Sequence, residues 1–309
     1  MIIPLALAVV AAIMCALSGH IDKYLISKTV KNADYRALIL VSTFVSGGLM
    51  TVIYLFVCHF DLRFDMPSMM VLFLNAVISV LALIFWFKAL NREDVTIITI
   101  MLQLIPVFTL LLAPLLLKGQ DISLVQLIGG VVIVLAALMV TYEPSKKKFS
   151  RNRLITLMLM TFASLAYALW EVLERFVNQN HDFNQTTMWS NIMLLLVGVI
   201  IIMFSKTYRR SFQKMMKSNG AKVVGLNLLN ELLYSFGGVA TTYASTMVSV
   251  ALVSFVASGV QPFATMMLGI MITKLFPKVE KETITREDII KRLIAISMCV
   301  VGLACIGFG

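Results

Sequence analysis

The sequence predicts an all-α membrane protein of ten transmembrane helices arranged as two inverted five-helix repeats. Three observations carry this: the spacing of the apolar stretches, the uneven distribution of basic residues, and a match of the chain to itself. Hydrophobic residues make up 60% of the 309 positions and charged residues only 14%. Apolar runs long enough to cross a bilayer as helix fall at 3–21, 36–58, 68–88, 95–117, 122–142, 153–173, 187–205, 222–243, 248–273 and 290–308.

Of the 26 Lys and Arg residues, 23 fall in the gaps after spans 1, 3, 5, 7 and 9 or at the span ends that border those gaps. The other three are Arg63, Lys118 and Arg175, in the gaps after spans 2, 4 and 6. Short loops rich in Lys and Arg stay cytoplasmic. The chain is therefore expected in the plasma (inner) membrane as a multi-pass protein with both termini external. The first span has no basic flank before it and no small-residue cleavage site, so it reads as a retained helix rather than a signal peptide. A net charge of +10 would suggest nucleic acid for a soluble chain. Here the charge is dispersed over five loops, where it orients the helices and meets the lipid bilayer. No nucleic-acid role is expected.

The self-match joins 11–25, AAIMCALSGHIDKYL, to 163–177, ASLAYALWEVLERFV, so that Asp22–Lys23 falls on Glu174–Arg175. It also joins 87–109 to 243–265, where Pro106 falls on Pro262 and Thr109 on Thr265. The expected units are a first repeat over 1–142, a basic cytoplasmic linker over 143–153 and a second repeat over 154–309. Five spans per repeat is an odd number, so the second repeat enters the membrane from the opposite side, as in many secondary transporters. The charged loop 274–289 is expected to include a short interfacial helical turn and is assigned no chemistry.

Polar side chains inside a span are costly and should face the protein interior or a wet cavity. On span 8, Asn227, Asn230, Glu231 and Tyr234 share one helical face, as do Tyr167, Trp170, Glu171 and Glu174 on span 6. Gln261 on span 9 and Gln103 on span 4 continue the pattern, and Asn75 on span 3 aligns with Glu231. These residues are the candidate substrate-binding set. Tying helices together by hydrogen bonds is the simpler role open to the amides and hydroxyls. Asp22, Lys23, Glu174 and Arg175, read at the ends of their spans, are candidate gating charges or interfacial anchors. Pro106 and Pro262 are candidate hinges, because a proline within a helix frees a backbone carbonyl. Gly129–Gly130 and Gly237–Gly238 suit close helix packing. Neither the four cysteines nor the three histidines have ligand spacing, so no metal site and no cofactor is expected.

With these features placed, the whole chain resembles the drug/metabolite transporter superfamily in its EamA-like ten-helix form. The resemblance lies in the fourth-span run Gln103-Leu-Ile-Pro106-Val-Phe-Thr-Leu-Leu-Leu-Ala-Pro114, its continuation LLLKGQDISLVQLIGGVVIVLAAL, and the first-span end IDKYLISK. Gly119-Gln120-Asp121 stands where that family typically has Glu in the turn between helices 4 and 5. The resemblance implies a carrier of small metabolites, commonly an exporter of amino acids or amines.

The residues themselves point to a small-molecule substrate that is cationic or zwitterionic. Carboxylates and aromatic faces suit an ammonium group, whereas a phosphate would call for Arg or Lys clamps at depth. A buried Glu can exchange protons, so coupling to protons is consistent with the pattern. A flippase for a lipid-linked head group is the alternative within the same fold, ahead of a passive channel. A membrane-embedded enzyme lacks support: there is no HExxH, and no GxxxxGK[ST] loop for ATP. Substrate identity, direction of transport and oligomeric state are not legible.

Overall fold

A computed structural model describes residues 2–29, 34–117, 122–143, 148–149, 151–248, 250–277, 282 and 285–309. Ten helical spans among them are long and apolar enough to cross a membrane. In chain order the helices are α1 (Ile2–Tyr24), α2 (Tyr35–Val57), α3 (Met66–Leu90), α4 (Val95–Leu102), α5 (Leu104–Leu116), α6 (Leu124–Thr141), α7 (Arg151–Asn178), α8 (Phe183–Phe204), α9 (Lys206–Met247), α10 (Val250–Leu275) and α11 (Arg286–Phe308). The strands described are a two-residue antiparallel pair, Tyr142–Glu143 with Lys148–Phe149.

Polar loop residues start many of these helices by accepting from otherwise unpaired backbone N–H groups. Asp34, Asp65, Asp182, Ser205 and Thr285 cap α2, α3, α8, α9 and α11. Ser123 and Gln126 form a reciprocal capping box on α6.

The packing repeats with the two-fold relation expected of the inverted repeats. In the first half α1 lies against α9 and α10. Its counterpart α7 lies against α3 and against α4 and α5. The self-related pairs α2 with α8 and α6 with α11 also pack directly. Gly129 and Gly302 allow the second of these. A Cβ on Gly129 would stand 2.6 Å from the Gly302 carbonyl oxygen, and one on Gly302 would stand 2.7 Å from the Gly129 oxygen. By contrast Gly130 and Gly238 leave room for a Cβ, so close packing rests on one residue of the first Gly pair. In the second pair a Cβ on Gly237 would meet the Ala11 carbonyl at 3.4 Å, an ordinary contact, so neither glycine is required there.

Several sequence expectations need correction. Spans 1 and 6 do not end before their charged doublets. Alpha-helical α1 passes into a π-helical stretch, Leu25–Thr29, and α7 runs on to Asn178. Asp22, Lys23, Glu174 and Arg175 are therefore within their helices. Hydropathy cut the spans short because it counts charges and cannot see their partners. The fourth span is broken at Gln103 into α4 and α5. Pro106 explains the break: it has no N–H for the Leu102 carbonyl and its ring crowds that group, so Pro106 sits in the first turn of α5 rather than mid-helix. Pro262 lies inside α10, which continues through it. The basic gap after span 7 is helical, forming the first part of the 42-residue α9, with non-helical backbone only at Asn219. The helical turn expected in 274–289 and the turn Gly119-Gln120-Asp121 fall largely or wholly outside the described residues.

Candidate functional site: an acidic cleft above a closed basic end

The bundle has a basic end, where the gaps after the odd spans meet, and an opposite end. At the basic end α1 is fastened to the α3–α4 turn by Lys23, whose ammonium donates to the carbonyls of Leu90 (2.5 Å) and Glu93 (2.8 Å). Asn152 bridges Arg92 and Glu93, and Arg153 pairs with Glu93 and Asp288. Lys291 reaches Asp288 and the Tyr142 carbonyl.

Deeper still, Glu282 enters from the loop before α11. Its carboxylate accepts from the backbone N–H and hydroxyl of Thr96 and pairs with Arg292 at 2.6 Å. Arg292 also holds Asp94 at 2.5 Å. Asp94 is the N-cap of α4 but makes no side-chain cap bond; Glu282 caps that helix in its place, from 186 residues away. The carboxylate lies where a Cβ on Gly269 would stand, 2.8 Å from its carbon. Burial pushes the Glu282 carboxyl above the ordinary range, and Arg292 opposes this. The sequence reading gave this loop no chemistry, and no local pattern marks Glu282, because both its partners lie on other helices.

Above this end the candidate acids converge. Asp22 on α1 is buried and accepts from the Trp86 indole N–H and the Asn230 amide, each at 2.9 Å. Glu231, one residue along α9, lies near Ser46 on α2 and within electrostatic range of Asp22. Tyr167 on α7 lies in range of Asp22, Glu231 and Tyr234. Glu171 accepts from the Thr109 hydroxyl at 3.1 Å, and Glu174 is its electrostatic neighbour. Tyr234 is 55% exposed, and Cys15 on α1 and Glu171 and Glu174 on α7 lie within electrostatic range of its phenol. An exposed side chain with acidic groups of neighbouring helices in range is the basis for reading a cleft here. The structure thus brings together Asp22, Tyr167, Glu171, Glu174, Asn230, Glu231 and Tyr234.

The remaining candidates stand apart from this group. Asn227 is buried and donates to the Ser42 hydroxyl at 2.9 Å, tying α9 to α2. Asn75 is fully buried, and among the described residues neither of its amide atoms has a partner. Gln103 is buried at the α4–α5 break, and Gln261 offers its backbone carbonyl to Thr265. Trp170 is half-buried. Arg175 is exposed, on the same face as Glu171 and near enough to act on it. Lys23 is turned toward the basic end, away from Asp22. Trp86, Ser46 and Thr109 were not among the sequence candidates. Trp86 sits in an apolar FWF run that reads as lipid-facing, and its role shows only once α3 is packed against α1.

The fold and cleft define a polytopic α-helical membrane protein of the inverted-repeat kind, with an acidic interior. The sequence model of the EamA-like transporter family matches residues 2–142, the first five-helix unit. Over those residues the chain is similar to the EamA-like transporter family, as the sequence resemblance implied. A solved structure described as "Crystal structure of protein" superposes with a TM-score of 0.56 over 96% of this chain and 94% of its own, at 14% identity. That likeness speaks to the fold alone. No curated protein matches in sequence.

Proposed function

We propose that the protein carries a small cationic or zwitterionic metabolite, of amine or amino-acid type, across the plasma membrane by alternating access coupled to protons. The carrying observation is the pair Asp22 and Glu231 on facing helices, with Tyr167 and Tyr234 beside them and no Lys or Arg among their described partners. Carboxylates and aromatic faces close together favour an ammonium group. The closed basic end, held through Lys23, supports an open state at the other end. Glu174 and Arg175 occupy the positions equivalent to Asp22 and Lys23, and are assigned the opposite gate.

A panel of amines, amino acids and organic phosphates tests the substrate class by ligand-induced melting shifts on the purified protein. Amines or amino acids should raise Tm, and Glu231→Gln should remove the response. A response confined to phosphates sinks this reading. Selective stabilisation by lipid-linked head groups would favour the flippase instead.

A further inference from the structure

A second place of convergent chemistry lies outside the cleft, where α3 and α7 meet the basic interface. There a pocket of about 410 Å³ is lined by Tyr35, Lys88, Asn91, Arg92, Ile155 and Leu159. Its mouth is cationic. The Lys88 ammonium stands 5.3 Å over the Tyr35 ring, and among the described residues no carboxylate pairs with it. Arg92 is exposed and commits one nitrogen to Asn152, leaving further donors in its fork.

The floor is apolar and leads into the membrane. From Ile155 and Leu159 the surface of α7 continues through Met158 and Phe162, which are 61% and 51% exposed. Phe162 stacks on Phe85 of α3 at 5.6 Å, and Leu81, about 10 Å from Lys88 along that helix, is also exposed. Two cations at the interface above an exposed aromatic groove between packed helices match a head group and its chains in both charge and polarity.

We propose that the α3–α7 groove binds one anionic diacyl phospholipid of the basic-side leaflet. Its phosphate sits between Lys88 and Arg92, and its acyl chains lie along Phe85, Phe162, Met158 and Leu81. Arg92 supplies directed donors to the phosphate oxygens. Lys88 is held at the mouth by the Tyr35 face instead of extending freely into water as an interfacial lysine does. Two side chains of this reach bias binding toward anionic over zwitterionic lipid. The site is independent of the substrate cleft, which holds acids where this groove holds bases.

The test uses the full-length protein in detergent, stripped of lipid, with added phosphatidylglycerol, phosphatidylcholine or inorganic phosphate. Melting and native mass spectrometry are read together. Phosphatidylglycerol should bind as a single retained lipid and raise Tm, while phosphatidylcholine does so weakly. Lys88→Gln with Arg92→Gln should lose about 30-fold in apparent affinity, at the strength expected of two interfacial cations. Lys214→Gln with Lys217→Gln removes the same charge from α9 and should leave the response intact. If the first double variant does not fold, Lys88→Gln alone should lose about fivefold. Equal responses to both lipids, equal losses in both double variants, or the full effect with inorganic phosphate would each overturn the proposal.

Discussion

The two ends of the bundle are built differently. At the basic end the core is dense: Leu25, Ile26, Leu38, Ile39, Phe87, Leu90, Ile97, Ile98, Met101 and Val140 are all buried. Over that core the ion pairs of Arg153, Asp288, Asp94, Arg292 and Glu282 join α3, α4, α7 and α11 to the last loop. At the opposite end the charge contacts described are few and lie in the loops. Asp61 pairs with Arg63, which is 91% exposed, and Asp65 pairs with His181. One end is locked by buried ion pairs between helices, and the other by half-exposed contacts that tie the α2–α3 loop region to His181 and Gln185. The difference assigns the moving parts: opening the basic end must break buried ion pairs, whereas the opposite end has little to break.

The largest expected effect comes from Arg292. Its loss leaves the buried Glu282 carboxylate without the cation that pairs with it, a change that typically costs about 3–5 kcal/mol. Arg292→Ala should lower Tm more than any single change at the opposite end. Glu282→Gln keeps the shape and hydrogen bonding at Thr96 and removes the ion pair. It should unlock the basic end with less loss of stability, seen as faster labelling of a cysteine placed at Thr99. A labelling rate equal to wild type would show that Glu282 only caps α4.

A middle-sized effect is expected at Trp86. Trp86→Phe removes one donor to Asp22, at about 1–3 kcal/mol for a buried acceptor left short of a partner. It should weaken ligand-induced melting shifts together with stability. Unchanged ligand response would separate Asp22 from the binding group.

The smallest effect belongs to the opposite end. The backbone N–H of Ser68, with its side chain and His181 assisting, holds the Asp65 carboxyl below the ordinary range. A lowered folded value contributes stability that is present above the ordinary carboxylate pKa and is lost as pH falls through the folded one. Asp65→Asn keeps the cap on α3 and should flatten only that acid-side loss, read as Tm against pH. A drop as large as that of Arg292→Ala would erase the contrast between the ends.

Much of this fold was legible in the sequence. All ten spans are found by length and hydropathy, and Pro106 explains the break in the fourth. The helical part of α9 before Asn219 was read as a gap because Lys206, Arg209, Arg210, Lys214 and Lys217 lower its hydropathy without breaking its helix. The cleft was half legible. Helical spacing groups the residues on α7 and on α9, but hydropathy ends span 1 before Asp22 and so sets it among the gating charges. Its meeting with Asn230 and Trp86 depends on how α1 crosses α9 and α3, which no spacing within one helix encodes. Glu282 was invisible for the same reason, its partners being Thr96 on one repeat and Arg292 on the other.

The central claim, that the acidic cleft carries the substrate and its proton, is tested most directly by gradient-driven uptake in sealed proteoliposomes. The amine or amino acid giving the strongest melting shift is used, and wild type is compared with Glu231→Gln at several internal and external pH values. The account predicts that Glu231→Gln inserts and folds but loses accumulation driven by the pH gradient, with at least a tenfold fall, about 1.4 kcal/mol, in uptake. Wild-type accumulation with unchanged pH dependence in Glu231→Gln would contradict it and reduce Glu231 to a packing group.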